Sequence, residues 1–140
     1  MRHRFGSALV AICGVYGLRV SAKTSLLIRR LAPRAAAGDA EAAASETQTP
    51  YARAILGIPN SDLATAYYAA ILILHTSGAL YRRPVLRVTR AAAWGTVGFS
   101  AYLIHALFFR LHRRCPVCMR AHAANLVLTL ALQFLVRARD

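Results

Sequence analysis

The sequence predicts an all-α protein, an integral membrane four-helix bundle, on three observations. Of 140 residues, 57% are apolar and only 16% charged, a balance too greasy for a soluble domain of this size. The apolar residues gather into four runs, each about as long as a bilayer requires. Most of the cations stand between those runs: 18 Lys and Arg against 5 Asp and Glu, with Lys23 the only lysine. Cations so placed anchor a chain among lipid headgroups, so membrane lipid is an expected partner. No block interleaves arginine with aromatics as a nucleic-acid surface would, and no nucleic acid is expected. The length fits one domain over 1–140, with no internal repeat.

The first span is predicted at about 8–28, after a short basic N-terminus. A signal peptide ending at Val20-Ser21-Ala22 is the competing reading. Arg19 interrupts its apolar core, which favours a membrane helix in which Arg19 and Lys23 snorkel or face a wet cavity. Cys13 lies inside this span beside Gly14 and Gly17 and reads as a buried spectator thiol.

Residues 29–62 read as a loop outside the hydrocarbon. It holds Arg29, Arg30, Pro33 and Arg34, then an Ala-rich acidic run through Asp39, Glu41 and Glu46. A short amphipathic segment from Thr49 closes on Gly57, Pro59 and Asn60. Asn60 and Ser61 before an apolar run fit a helix N-cap, and on local grounds that reading of Asn60 stands level with a functional one.

The second span is expected at 63–81, carrying Tyr67, Tyr68 and His75. Arg82-Arg83-Pro84 would end it, with Arg87 and Arg90 completing a basic hairpin. The third, 91–109, has Trp94 near its start as an interfacial aromatic and Tyr102 deeper. Arg110 to Arg114 form a basic turn, and the fourth span runs over 115–136.

That fourth span opens with Cys115-Pro-Val-Cys118-Met-Arg-Ala-His122-Ala-Ala-Asn125. On a helix, Cys115, Cys118, His122 and Asn125 fall within an arc of roughly 80°, with Arg120 on the other side. A Cys-x-x-Cys at a helix start is redox-active for physical reasons. Backbone N–H groups and the helix dipole favour the thiolate, as do the adjacent Arg113 and Arg114, and the pair cycles between dithiol and disulfide. Two other readings compete. The pair could be half of a zinc site with His112 and His122, although ligands at these helical offsets hardly close a tetrahedron. It could also be two inert apolar cysteines.

The chain resembles the vitamin K epoxide reductase family in its bacterial form. The matching pieces are Pro50-Tyr51-Ala52, Gly57-Ile58-Pro59-Asn60-Ser61 with Tyr67-Tyr68, Ser100-Ala101-Tyr102-Leu103, and Cys115-Pro-Val-Cys118 with His122 and Asn125. They lie in family order over roughly residues 8–136. The resemblance implies a four-helix bundle in the plasma or inner membrane, holding a quinone (ubiquinone or menaquinone) beside the cysteine pair at the extracytoplasmic face. It implies a thiol–quinone oxidoreductase that takes electrons from an extracytoplasmic thioredoxin-fold protein. Cys118 would be the quinone-proximal thiol, Cys115 its exchange partner, and Asn60 and His122 the donors to the quinone oxygens, with Asn125 on the same stripe. The alternative is a family-derived protein that binds a quinone or a membrane partner without turnover.

Two departures stand out. Family members usually carry a second cysteine pair in the loop after the first helix, whereas Gly38 to Thr49 contains no cysteine. The glycine usual after Asn-Ser is replaced by Asp62-Leu63-Ala64. Eight arginines on one side of the bilayer against seven on the other set no orientation. An oxidising environment for the pair does, placing both termini in the cytoplasm and Cys115 outside.

Overall fold

The structure is a computed structural model and describes residues 2–39, 57–112 and 115–136. Four helices carry it: α1 (Arg2–Ala36), α2 (Asn60–Thr76), α3 (Arg83–His105) and α4 (Pro116–Leu130). Single π-helical turns, Ala106–Arg110 and Ala131–Leu135, extend α3 and α4, and a 3₁₀ turn, Ala79–Tyr81, follows α2. Among the described residues there is no strand, and the all-α expectation holds. Three stretches are long and apolar enough to cross a membrane: Phe5–Ala36, Arg83–Arg110 and Pro116–Phe134. With 17 residues, α2 rises only about 25 Å.

Several predicted boundaries move. The first helix runs on through Arg29 and Arg34 to Ala36, about two turns further than expected. The Arg/Leu/Ala composition of this stretch favours helix. Pro33 forfeits one backbone bond without ending the helix. Termination falls instead to Gly38, at φ 89°, with the Asp39 N–H donating to the Arg34 carbonyl at 3.0 Å. The acidic residues Glu41 and Glu46 and the amphipathic segment from Thr49 to Leu56 lie outside the described residues.

Asn60 does not cap α2. Pro59 occupies the cap position without a side-chain bond, and Asn60 is the first helical residue. That helix stops at Thr76, and Gly78, at φ 75°, reverses the chain. The basic hairpin is absent. Pro84 sits in the first turn of α3, where its missing N–H costs nothing, so Arg87 and Arg90 are helical. Trp94 consequently lies about three turns into α3, past Arg83, Arg87 and Arg90.

The helices run up and down. Ser7 Oγ is 3.0 Å from Tyr81 Oη at one end, and Arg29 is 3.6 Å from Asp62 at the other. The α4 C-terminus meets the first end, through Arg90, so Cys115 opens α4 at the second. The α1 helix packs against α2 and α4, and α4 against α3, whereas α2 and α3 make little contact with each other. Beside their connecting turn a shallow apolar cleft, lined by Leu74, Pro84, Val85, Val88 and Thr89, separates α2 from α3.

Lipid tails compete with side chains for apolar contact, so membrane helices associate through close packing. Gly14 lies against Leu72 and Gly17 against the Tyr68 ring, which brings α2 onto α1. Val10, Leu80, Leu128 and Leu132 complete a fully buried core. Arg19 and Lys23 are exposed on the outer surface of α1.

Candidate functional site

Cys115 and Cys118 form a disulfide with their Cα atoms 5.3 Å apart. Cys115 is not itself helical. It is the N-cap of α4, in extended conformation at φ −114° and ψ 94°. Its carbonyl accepts the Met119 N–H at 3.0 Å, and its Sγ accepts the Cys118 N–H at 3.2 Å. Pro116 takes the first helical position, where its fixed φ favours helix initiation. The sequence Cys-Pro-Val-Cys thus builds a helix N-terminus whose capping atom is a disulfide sulfur. Both cysteines are half-buried, while Pro116 and Val117 between them are exposed.

Cys118, His122 and Asn125 follow on one stripe of α4, with burial deepening from half-buried to 6% exposed at Asn125. Arg120 is exposed on the other side, as the spacing requires. The Asn125 amide joins two helices: Oδ1 is 3.1 Å from Thr96 Oγ1, and Nδ2 donates to Ser100 Oγ at 3.2 Å. Thr129, one turn on, donates to the Asn125 carbonyl at 2.9 Å and lies 3.4 Å from the Ala93 carbonyl. These contacts fix the register of α4 on α3, and so the height of the cysteine pair.

Asn60 stands on α2 at the same end as Cys115, next to the buried Ser61. Two turns below it, Tyr67 points its hydroxyl toward Thr96 of α3. The hydroxyl is buried and lies close to Thr96 without a hydrogen bond of good geometry. Ser25 Oγ on α1 and Ser61 Oγ on α2 are likewise buried and unpartnered. A buried hydroxyl without a partner costs roughly 1–3 kcal/mol, which makes these atoms candidate contacts for a water or a polar ligand group.

Neither the Thr96–Ser100 seat of Asn125 nor the Tyr67 hydroxyl is evident from sequence, since both depend on which helices are neighbours. The small polar residues at i and i+4 on α3 were the only available signal. Cys13 is buried at 7% exposure and carries a free thiol. Arg113 and Arg114 lie outside the described residues.

The family model for the vitamin K epoxide reductase family matches residues 8–132, most of the chain. No curated protein and no solved structure matches it.

Proposed function

Because the chain belongs to the vitamin K epoxide reductase family, whose members are membrane proteins of quinone redox chemistry, we propose that it is a thiol–quinone oxidoreductase. It would pass electrons from an extracytoplasmic thioredoxin-fold protein through Cys115 and Cys118 to ubiquinone or menaquinone. The observation that carries this reading is the Cys115–Cys118 disulfide at the N-terminus of α4, continuous with the His122 stripe.

In the proposed reaction a partner thiolate attacks Cys115 Sγ, and the Cys115–Cys118 bond breaks with its electron pair on Cys118. The partner's second thiolate then resolves the mixed disulfide, leaving both Cys115 and Cys118 reduced. The Cys118 N–H at the capped helix end favours negative charge on the sulfur of Cys115. A bound quinone would supply a two-electron, two-proton acceptor that returns the pair to the disulfide. His122 and Asn60 are the proposed donors to its oxygens, and Tyr67 offers a third from the opposite wall. Asn125 spends one N–H on Ser100, so its main part is to hold His122 at the right height. The cleft between α2 and α3 is the proposed path for an apolar tail.

The test is quinone-dependent oxidation of a dithiol by the purified protein in lipid nanodiscs. Turnover lost in Cys115→Ala and Cys118→Ala supports the reading. Absence of turnover in the parent, with quinone still bound, would favour the second reading, a binding protein without catalysis. One observation recommends that second reading: Gly38 to Thr49 lacks the usual cysteine pair.

A further inference from the structure

With three cysteines in the chain and Cys13 sealed in the core, any reductant of the Cys115–Cys118 bond must arrive from another molecule. What it meets on arrival is positive. Arg110 and Arg120 stand five residues either side of Cys115, both exposed. His112 is exposed between Arg110 and the pair. The α1 helix ends on the same face and adds Arg29, Arg30 and Arg34, all exposed. The two described acids there are already engaged: Asp62 with Arg29, and Asp39 with Arg34 through both Nε and Nη2. Arg30, Arg110 and Arg120 have no acid against them among the described residues.

We propose that this basic rim is the docking surface for the thiol donor, and that the donor is a protein whose reactive cysteine is flanked by acidic side chains. The inference rests on the thiol-exchange reading and names the chemistry of its partner. Complementary charge raises encounter rates between proteins by about ten- to a thousandfold at low salt. The same arginines act on the chemistry, since the attacking group is a thiolate and a second thiolate leaves. A positive field lowers the energy of both. The exposed Pro116 and Val117 give the donor an apolar footing beside the sulfur it must reach. The step needs no further reagent: the donor dithiol is oxidised to a disulfide as Cys115 and Cys118 are reduced, and two electrons and two protons are transferred.

The experiment uses the full chain in a zwitterionic detergent. Two synthetic peptides of equal length, each with one Cys-x-x-Cys, are compared: one flanked by glutamates, the other by lysines. Second-order rates of reduction of the Cys115–Cys118 disulfide are expressed per thiolate, which removes the peptides' own acidity difference. The acidic peptide should react at least about tenfold faster at ~20 mM salt, and the gap should close at ~0.5 M, where the Debye length is only a few ångströms. In the Arg30→Glu/Arg110→Glu/Arg120→Glu variant the preference should vanish or invert. Dithiothreitol, a small thiol that reacts through its thiolate but has no acidic flanks to dock, should still reduce the variant's disulfide fully and be slowed far less than the acidic peptide, showing that the site is intact. Equal peptide rates alongside normal dithiothreitol reduction would overturn the docking proposal and leave thiol exchange standing. A disulfide that dithiothreitol cannot open in the parent would overturn both.

Discussion

Arg90 donates through Nη2 to the Val136 carbonyl at 2.8 Å, closing the end of the last helix from a residue 46 positions earlier. Its Nε donates to the Leu132 carbonyl at the same distance. Both carbonyls belong to the last turn, where no helical N–H remains to satisfy them and where the dipole favours a cation. Hydrogen bonds of this charged type are worth about 1.5–3 kcal/mol each, less when partly exposed. Arg90→Leu should therefore lower stability by about 2–3 kcal/mol, and Arg90→Lys, with a point charge in place of the fork, by about half as much. Thermal unfolding in detergent measures both. An Arg90→Leu midpoint equal to the parent's would mean that water serves these carbonyls equally well.

Gly17 and Gly95 offer a contrast within one protein. A Cβ on Gly17 would overlap the Tyr68 ring, whereas one on Gly95 meets nothing within 4 Å. Gly17→Ala should push α2 off α1 and cost about 1–3 kcal/mol, the scale of an overpacked core. Gly95→Ala should be neutral or gain up to about 1 kcal/mol from helix propensity. Equal midpoints for the two variants would show that the contact between α1 and α2 tolerates spreading.

The quinone pocket makes a graded prediction. His122→Ala and Asn60→Ala should each weaken quinone reduction by about 1–3 kcal/mol, roughly five- to 150-fold in rate, with folding intact. Tyr67→Phe should do the same at the lower end, because its hydroxyl is buried without a partner. Asn125→Ala should lose stability as well as rate, since its amide also ties Thr96 to Ser100. The measurement is stopped-flow quinol formation by pre-reduced protein, beside thermal midpoints. Parent rates in both His122→Ala and Asn60→Ala would place the pocket elsewhere.

Orientation is open to chemistry in whole cells. If Cys115 faces an oxidising compartment, a membrane-impermeant maleimide should label Cys115 or Cys118 in intact cells after mild reduction. Labelling that needs lysis would invert the topology.

Much of this architecture was legible in the sequence because hydrocarbon length and helix periodicity are strong constraints. The apolar runs, the Cys118–His122–Asn125 stripe and the exposed Arg120 all follow from them. What failed shares one cause. Punctuation residues were read without knowing which helix they punctuate. Pro84 was taken to end one helix when it begins the next, and with it Arg87 and Arg90 were assigned to a loop. Pro33 and the arginines around it were read as a boundary, but outside the hydrocarbon a helix continues as long as propensity allows. Nothing in the sequence pairs Arg90 with Val136, or aims Tyr67 at Thr96, because such contacts depend on the order α2–α1–α4–α3 around the bundle.

The last prediction follows from the loop that lacks cysteines. A Cys115–Cys118 disulfide must be opened by some thiolate, and the chain's own remaining thiol, Cys13, is buried and far along α1. A single cysteine cannot be regenerated as a pair can, so on the proposed reading the attacking thiolate comes from another protein. It should strike Cys115, which caps the helix at its N-terminus, and release Cys118, which lies a turn deeper on the stripe toward His122. The reverse exchange remains possible when Cys118 is absent, with Cys115 attacking the oxidised partner and no second thiol to resolve the product. Cys118→Ala should therefore hold Cys115 in a stable mixed disulfide, Cys115→Ala should trap nothing, and Cys13→Ala should behave as the parent. Non-reducing gels of acid-quenched cells read all three. With no reductant-sensitive band of higher mass in Cys118→Ala, direct exchange fails and the non-catalytic reading gains. Activity lost in Cys13→Ala would give that buried thiol a part in the reaction that its position in the core does not foretell.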